Sequence, residues 1–125
     1  MRVLIDTDVL ISAYTGAGMP RKVQALLAEE ANEILVSSVS IMEIAMKNGV
    51  GKLQMGEAET KQAVRDLRFA MLSFTPQHAL RLFDLPPHHR DPFDRMLIAT
   101  ALTEEIPLVG SDRKFKSYKG LHVIW

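Results

Sequence analysis

Residues 1–12 read MRVLIDTDVLIS. Within them Val3-Leu4-Ile5 is a short apolar run with no polar alternation, as a strand reads when both faces of its sheet are covered. The run stops at an acid, Asp6, with Asp8 two residues on, and a helical pattern follows over 9–14. Three more runs of this kind occur at Ile34-Leu35-Val36, Leu108-Val109 and Leu121 to Trp125. Helical patterns lie between them. Residues 21–30 bring Val23, Leu26 and Leu27 to one face, and 40–48 bring Ile41, Ile44 and Ala45. Residues 57–71 do so with Val64, Leu67 and Met71, and 92–104 with Leu97, Ile98, Ala101 and Leu102. A weaker helix over 76–83 is stopped by Pro86-Pro87. Strands alternating with helices predict β-α-β units, hence an α/β fold with a mainly parallel sheet covered on both faces.

Composition narrows the class. The chain has 125 residues, the length of a single domain spanning 1–125, and no repeat, low-complexity tract or linker divides it. Its 47% hydrophobic and 24% charged residues are the mixture of an ordinary globular protein. No apolar stretch approaches the roughly 18 residues of a spanning helix. Asp6 and Asp8 fall where a signal peptide would be apolar, so a cytoplasmic protein is expected. There are no cysteines, which removes disulfides, thiolate metal sites and cysteine nucleophiles together. The 15 basic and 15 acidic residues balance, so any nucleic acid must be met at a local site rather than by a basic surface. Gly49-Val50-Gly51-Lys52 is no phosphate-binding loop, because Met46 and Leu53 stand where glycine and a hydroxyl residue are required.

The acids carry the functional signal. Asp6 ends the first strand, Glu43 lies a turn into the helix after the second, and Asp112 follows the strand at 108–109. In an open parallel sheet, ligands bind at the carboxyl ends of the strands, so these acids share one sheet edge. Asp91 and Asp94 open a later helix whose N-terminus reaches that edge if the sheet is doubly wound. Each acid also has a purely structural reading. Asp91-Pro92-Phe93-Asp94 is an N-cap followed by proline, Ser40 to Glu43 reads as a capping box, and Asp6, Asp8 and Asp112 suit helix caps. Together, four or five acids at one edge would repel one another unless something neutralises them. A divalent cation such as Mg²⁺ or Mn²⁺ does so, and supports phosphodiester hydrolysis without a covalent nucleophile.

Four segments together resemble the PIN-domain ribonucleases, and more closely the VapC-type toxins of prokaryotic toxin–antitoxin pairs. They are VLIDTDVLI at 3–11, SSVSIMEIAMKNGVGKL at 37–53, PPHHRDPFDRMLIATAL at 86–102 and LVGSDRKF at 108–115. The resemblance implies an α/β/α sandwich around a five-stranded parallel sheet, and an acidic pocket binding Mg²⁺ or Mn²⁺. It implies endoribonuclease activity on single-stranded RNA. The family's four acids fall on Asp6, Glu43, Asp94 and Asp112, with Asp8, Asp91, Ser111 and Arg95 as accessory candidates. Asp94 is preferred to Asp91 because it stands five residues before Ala99-Thr100-Ala101-Leu102. The chain departs from the pattern at Asp8, an extra charge where many members have Asn, Ser or His, and at Gly110, where many have Thr.

Other side chains are weighed beside these. His88 and His89, in a proline-flanked loop, read as solvated surface rather than metal ligands. Arg95 suits an RNA phosphate or a carboxylate of the pocket equally. The run Arg113, Lys114, Lys116 and Lys119 is a solvated face or a local contact for RNA. Phe115 and Tyr118 interleave with it as base-stacking candidates, though Phe115 suits the core better. An Asp-x-Asp phosphatase is disfavoured by Leu10, and a receiver domain by the absence of a lysine after a late strand. A non-catalytic PIN-like interaction module is the remaining alternative, with the four acids against it.

The resemblance also implies a homodimer and a groove for the amphipathic segment of a VapB-type antitoxin, whose Arg or Lys would neutralise the acidic pocket. Val9, Ile11, Tyr14, Val23, Leu26 and Leu27 exceed what one helix face needs, so they are candidates for such surfaces as well as for the core.

Overall fold

The computed structural model describes residues 1–125. Five strands, β1 (Arg2–Ile5), β2 (Glu33–Ser37), β3 (Ala70–Leu72), β4 (Leu108–Val109) and β5 (Val123–Ile124), form one sheet in the order β3-β2-β1-β4-β5. Every pairing is parallel: Leu4, for example, sits opposite Leu35 on one side and Leu108 on the other. The chain works outward from β1 through β2 to β3, then returns to lay β4 on the opposite flank of β1. The direction of winding therefore reverses at β1 and β4, the kind of switch point beyond whose carboxyl ends open α/β sheets bind ligands.

Six helices cover the sheet: α1 (Thr7–Thr15), α2 (Arg21–Ala28), α3 (Ser38–Gly49), α4 (Glu57–Asp66), α5 (Pro76–Arg81) and α6 (Pro92–Glu104). Side-chain alternation along β1 divides the core. Val3 and Ile5 pack with Val9, Leu10, Val23, Ile34, Val36 and Ala63 on one face. Leu4 packs with Leu35, Leu97, Ile98, Ala101, Leu108 and Phe115 on the other. Burying each such aliphatic side chain stabilises the fold by about 1.5–3 kcal/mol. The result is the expected α/β/α sandwich.

Several boundaries differ from the sequence reading. The helix expected over 57–71 ends at Asp66; Arg68 then turns the chain through a left-handed conformation (φ 57°), and residues 70–72 become edge strand β3. That turn is made without glycine, and β3 is half exposed, so neither a breaker nor an apolar run marked it. The expected capping box at Ser40 is absent. Ser37 caps α3 by accepting the Val39 N–H, and Ser40 is buried inside the helix, where its Oγ receives the Thr7 hydroxyl at 2.9 Å. The helix expected over 76–83 is α5 followed by a 3-10 turn at Leu82–Asp84, and the last strand is shorter than Leu121 to Trp125. Val9 and Val23 are core, and Ile11, Tyr14, Leu26 and Leu27 pack against it. Those four are only partly buried, so each also keeps an accessible part. No helix is long and apolar enough to cross a membrane.

Candidate active site

Three acids, two of them after strands, act as helix caps, which fixes their carboxylates. Asp6 follows β1; its backbone N–H donates to Val109 O at 3.0 Å, and its Oδ1 accepts the Val9 N–H at 2.8 Å, capping α1. Asp112 follows β4 and caps a 3-10 turn at Arg113–Ser117, its Oδ1 accepting the Lys114 N–H at 2.9 Å. Asp91 caps α6, accepting from Phe93 N at 2.8 Å and Asp94 N at 3.4 Å, with Pro92 next as expected of a first helical residue. Capping occupies one oxygen of Asp6 and leaves Oδ2 beside Gly110. A Cβ on Gly110 would overlap that oxygen and lie 2.7 Å from Phe115 Cε2. The glycine that replaces the family's threonine is therefore what Asp6 requires.

Glu43 lies in the second turn of α3 and is buried. Its Oε2 accepts from Lys47 Nζ at 2.6 Å, one helical turn on, while Oε1 is buried with no hydrogen-bond partner. Asp94, three residues after the cap of α6, is partly buried. The structure brings Asp6, Glu43, Asp94 and Asp112 into one electrostatic group. Burial, opposed by the Val9 N–H and reinforced by Asp8, Asp94 and Glu43, pushes Asp6 up to about 8. Burial and the charges of Asp91, Glu43 and Asp112 push Asp94 up to about 7, with His89 acting the other way. Asp112 goes down instead: its burial is outweighed by the Lys114 N–H and by His89. The hydrogen bond that Lys47 donates to Glu43, opposed by burial and reinforced by the charges of Glu43, Asp8 and Asp91, pushes Lys47 up.

The accessory candidates divide. Asp8 is exposed on the first turn of α1 and acts on Asp6 through space. Ser111 is exposed. Arg95 pairs with no carboxylate of the site. Its guanidinium donates to Leu85 O, Pro86 O, His89 O and the Tyr118 hydroxyl at 3.0–3.4 Å, clamping the loop before α6. Phe115 and Tyr118 are buried and so do not present faces for bases.

His88 is exposed as expected, but His89 is a correction. It is 7% exposed, and its Nε2 lies 2.7 Å from Asp112 Oδ2 and 3.0 Å from Asp94 Oδ2. Nitrogen and carboxylate atoms of His89, Asp94 and Asp112 lie within 4.8 Å of one another. A loop histidine between prolines gave no burial signal; its place two residues before the cap of α6 did carry the geometry. A groove of about 750 Å³ lies elsewhere, between α3, α4 and β3, lined in part by Ile41, Val64, Phe69 and Met71. It contains none of the clustered acids.

The family model described as PIN domain matches residues 3–121. The chain belongs to the PIN-domain family. Among solved structures, this PIN-domain chain resembles one in the complex of VapBC2 from Rickettsia felis with a DNA fragment from its promoter. The TM-score is 0.74 at 18% identity, over 100% of this chain and 99% of that one. A chain of DNA-bound VapBC from Salmonella typhimurium gives 0.72 at 17%, covering 99% and 97%. A toxin–antitoxin complex from Klebsiella pneumoniae gives 0.63 at 24%, covering 98% and 96%. Likeness at such identities is likeness of fold. No curated protein matches the chain.

Proposed function

We propose that this PIN-domain protein is a Mg²⁺- or Mn²⁺-dependent endoribonuclease acting on single-stranded RNA, and the toxin of a toxin–antitoxin pair. The observation carrying this reading is the group of Asp6, Glu43, Asp94 and Asp112 beyond the carboxyl ends of β1 and β4, where burial and neighbouring acids push Asp6 up to about 8 and Asp94 up to about 7. Buried carboxyls that repel one another and an orphaned Glu43 Oε1 are what a hard, oxygen-seeking cation satisfies, so the donor set fits. Asp6, Glu43, Asp94 and Asp112 would hold it, with Asp91 outside as a helix cap. Bound there, such an ion supplies an activated water and charge stabilisation at the phosphoryl group.

The chain's own residues supply the rest. Caps on Asp6 and Asp112 hold their carboxylates before any substrate arrives, so little reorganisation remains. Hydrolysis joins a water oxygen to phosphorus and breaks the bond to one ribose oxygen; a site carboxylate takes the water's proton and the leaving oxygen gains one. Arg113, Lys114, Lys116 and Lys119, all exposed beside Asp112, supply positive charge for the strand's other phosphates. Exposed Ile41, Met42, Met46 and Met71 near the α3–α4–β3 groove support a protein partner, a second copy or a VapB-type antitoxin. A cytoplasmic location agrees with such a role.

The test is direct. Purified protein should cut single-stranded RNA with Mg²⁺ or Mn²⁺ and stop with EDTA, and Asp6→Asn should lose orders of magnitude. Full cleavage in EDTA or by Asp6→Asn would defeat the assignment. Antitoxin pairing is tested by co-expression with the neighbouring gene's product; an active complex, or no complex, would remove it.

A further inference from the structure

His89 is held from four sides. Its backbone N–H donates to the Tyr118 hydroxyl at 2.9 Å, and its carbonyl accepts from Arg95 Nη1 at 3.4 Å. Its ring lies against Phe115, centroids 6.1 Å apart. The fourth restraint decides its chemistry: Nδ1 accepts the backbone N–H of Asp91 at 3.1 Å. A neutral imidazole has one N–H and one lone pair, and a ring nitrogen that faces a donor must be the bare one. The proton is therefore on Nε2, where Asp112 Oδ2 accepts it at 2.7 Å with Asp94 Oδ2 at 3.0 Å from the same nitrogen.

This hydrogen-bond pattern conflicts with reading His89, Asp94 and Asp112 as three equivalent metal ligands. Ligation by Nε2 needs a lone pair there, which moves the proton to Nδ1 and drives it against the Asp91 N–H. That N–H cannot withdraw cheaply, because Asp91 is also the cap of α6 and is followed by Pro92.

We propose that His89 is a positioning residue, an imidazole locked as the Nε2–H tautomer that orients Asp112 and steadies Asp94 while staying outside the metal's own ligand set. The proposal rests on the metal-site reading above. Orientation of a ligating carboxylate by such a hydrogen bond is worth about 10–100-fold in metal affinity.

The tautomer is read by long-range proton–nitrogen correlation on the histidine-labelled protein, with His89 assigned by the signal missing from His89→Gln. The expected result is a protonated Nε2 and a bare Nδ1 in EDTA, unchanged when Mg²⁺ saturates the protein. A bare Nε2, in EDTA or in Mg²⁺, overturns the proposal. In parallel, the Mg²⁺-induced rise in melting temperature is titrated. His89→Ala should need at least about tenfold more Mg²⁺, while His89→Gln, whose amide N–H reaches the Nε2 position, recovers most of that loss. Wild-type Mg²⁺ dependence in His89→Ala also overturns the proposal. A protein that keeps the tautomer and binds Mg²⁺ yet leaves RNA intact would sink the nuclease reading and leave this one standing.

Discussion

Gly110 and Asp6 meet across the ends of β4 and β1 so closely that the glycine can bear no side chain while the carboxylate keeps its place. Asp6 cannot easily retreat, since its Oδ1 caps α1 and its backbone N–H is bonded to Val109. Gly110→Ala should therefore fold and lose activity by about 100-fold, the cost of misplacing a reacting group by roughly 1 Å. Activity within threefold of wild type would mean that Asp6 adjusts freely.

Stability of the metal-free protein should fall as pH rises. Asp6 and Asp94 bind protons more tightly folded than unfolded, with values of about 8 and about 7 against 3.8. Their contribution is complete below pH 3.8 and lost as pH climbs through 7 and 8, at up to about 1.4 kcal/mol per pH unit for each proton. Asp112, shifted down, works in the opposite sense and only in more acidic solution. Melting temperatures in EDTA should drop between pH 5 and pH 8.5, Mn²⁺ should restore more at pH 8.5, and Asp6→Asn should flatten the profile. A flat wild-type profile would show that the acids do not repel.

The pair Asp91 and Asp94 should separate by function. Asp91→Ser keeps a capping oxygen, so stability should change by less than about 1 kcal/mol and cleavage by a few-fold. Asp94→Ser should fold and be nearly inactive. Comparable losses of cleavage in both would put Asp91 in the metal shell.

Arg95→Met should act on the fold rather than on RNA. It removes donors from Leu85 O, Pro86 O, His89 O and the Tyr118 hydroxyl, at a cost of about 2–3 kcal/mol in urea unfolding. The salt dependence of KM for RNA should be unchanged, since no phosphate contact is lost. Unaltered stability with a shallower salt dependence would restore the phosphate role.

Legibility followed local chemistry. Apolar runs revealed β1, β2 and β4, whose apolar residues are buried, and β5, whose residues are partly buried, while β3 escaped because Ala70 and Met71 are exposed on an edge. The acids were legible because they stand at strand and helix ends. In Asp6 and Asp112 capping and a place in the candidate site coincide, so weighing one against the other posed a false choice. Lys47 and His89 were not legible as parts of the site. The ion pair of Lys47 needs Glu43 turned inward, and the burial of His89 depends on Arg95 and Tyr118, residues distant from one another in sequence. Ser40 misled for a related reason: a serine near a helix start fits a cap by spacing, but Ser37 had already closed that end.

The sheet order also sets when the site exists during synthesis. Asp6 emerges from the ribosome among the first residues, and β2 can pair with β1 soon afterwards. Asp94 and Asp112 come late, and the strand preceding Asp112 docks on the flank of β1 that β2 leaves open. A nascent chain halted before β4 carries Asp6, Glu43 and Asp94 but lacks Asp112 and the strand that lines the other side of β1. On the proposed reading, the full set of acids is assembled only when β4 closes the sheet, so the chain still on the ribosome is an inert precursor.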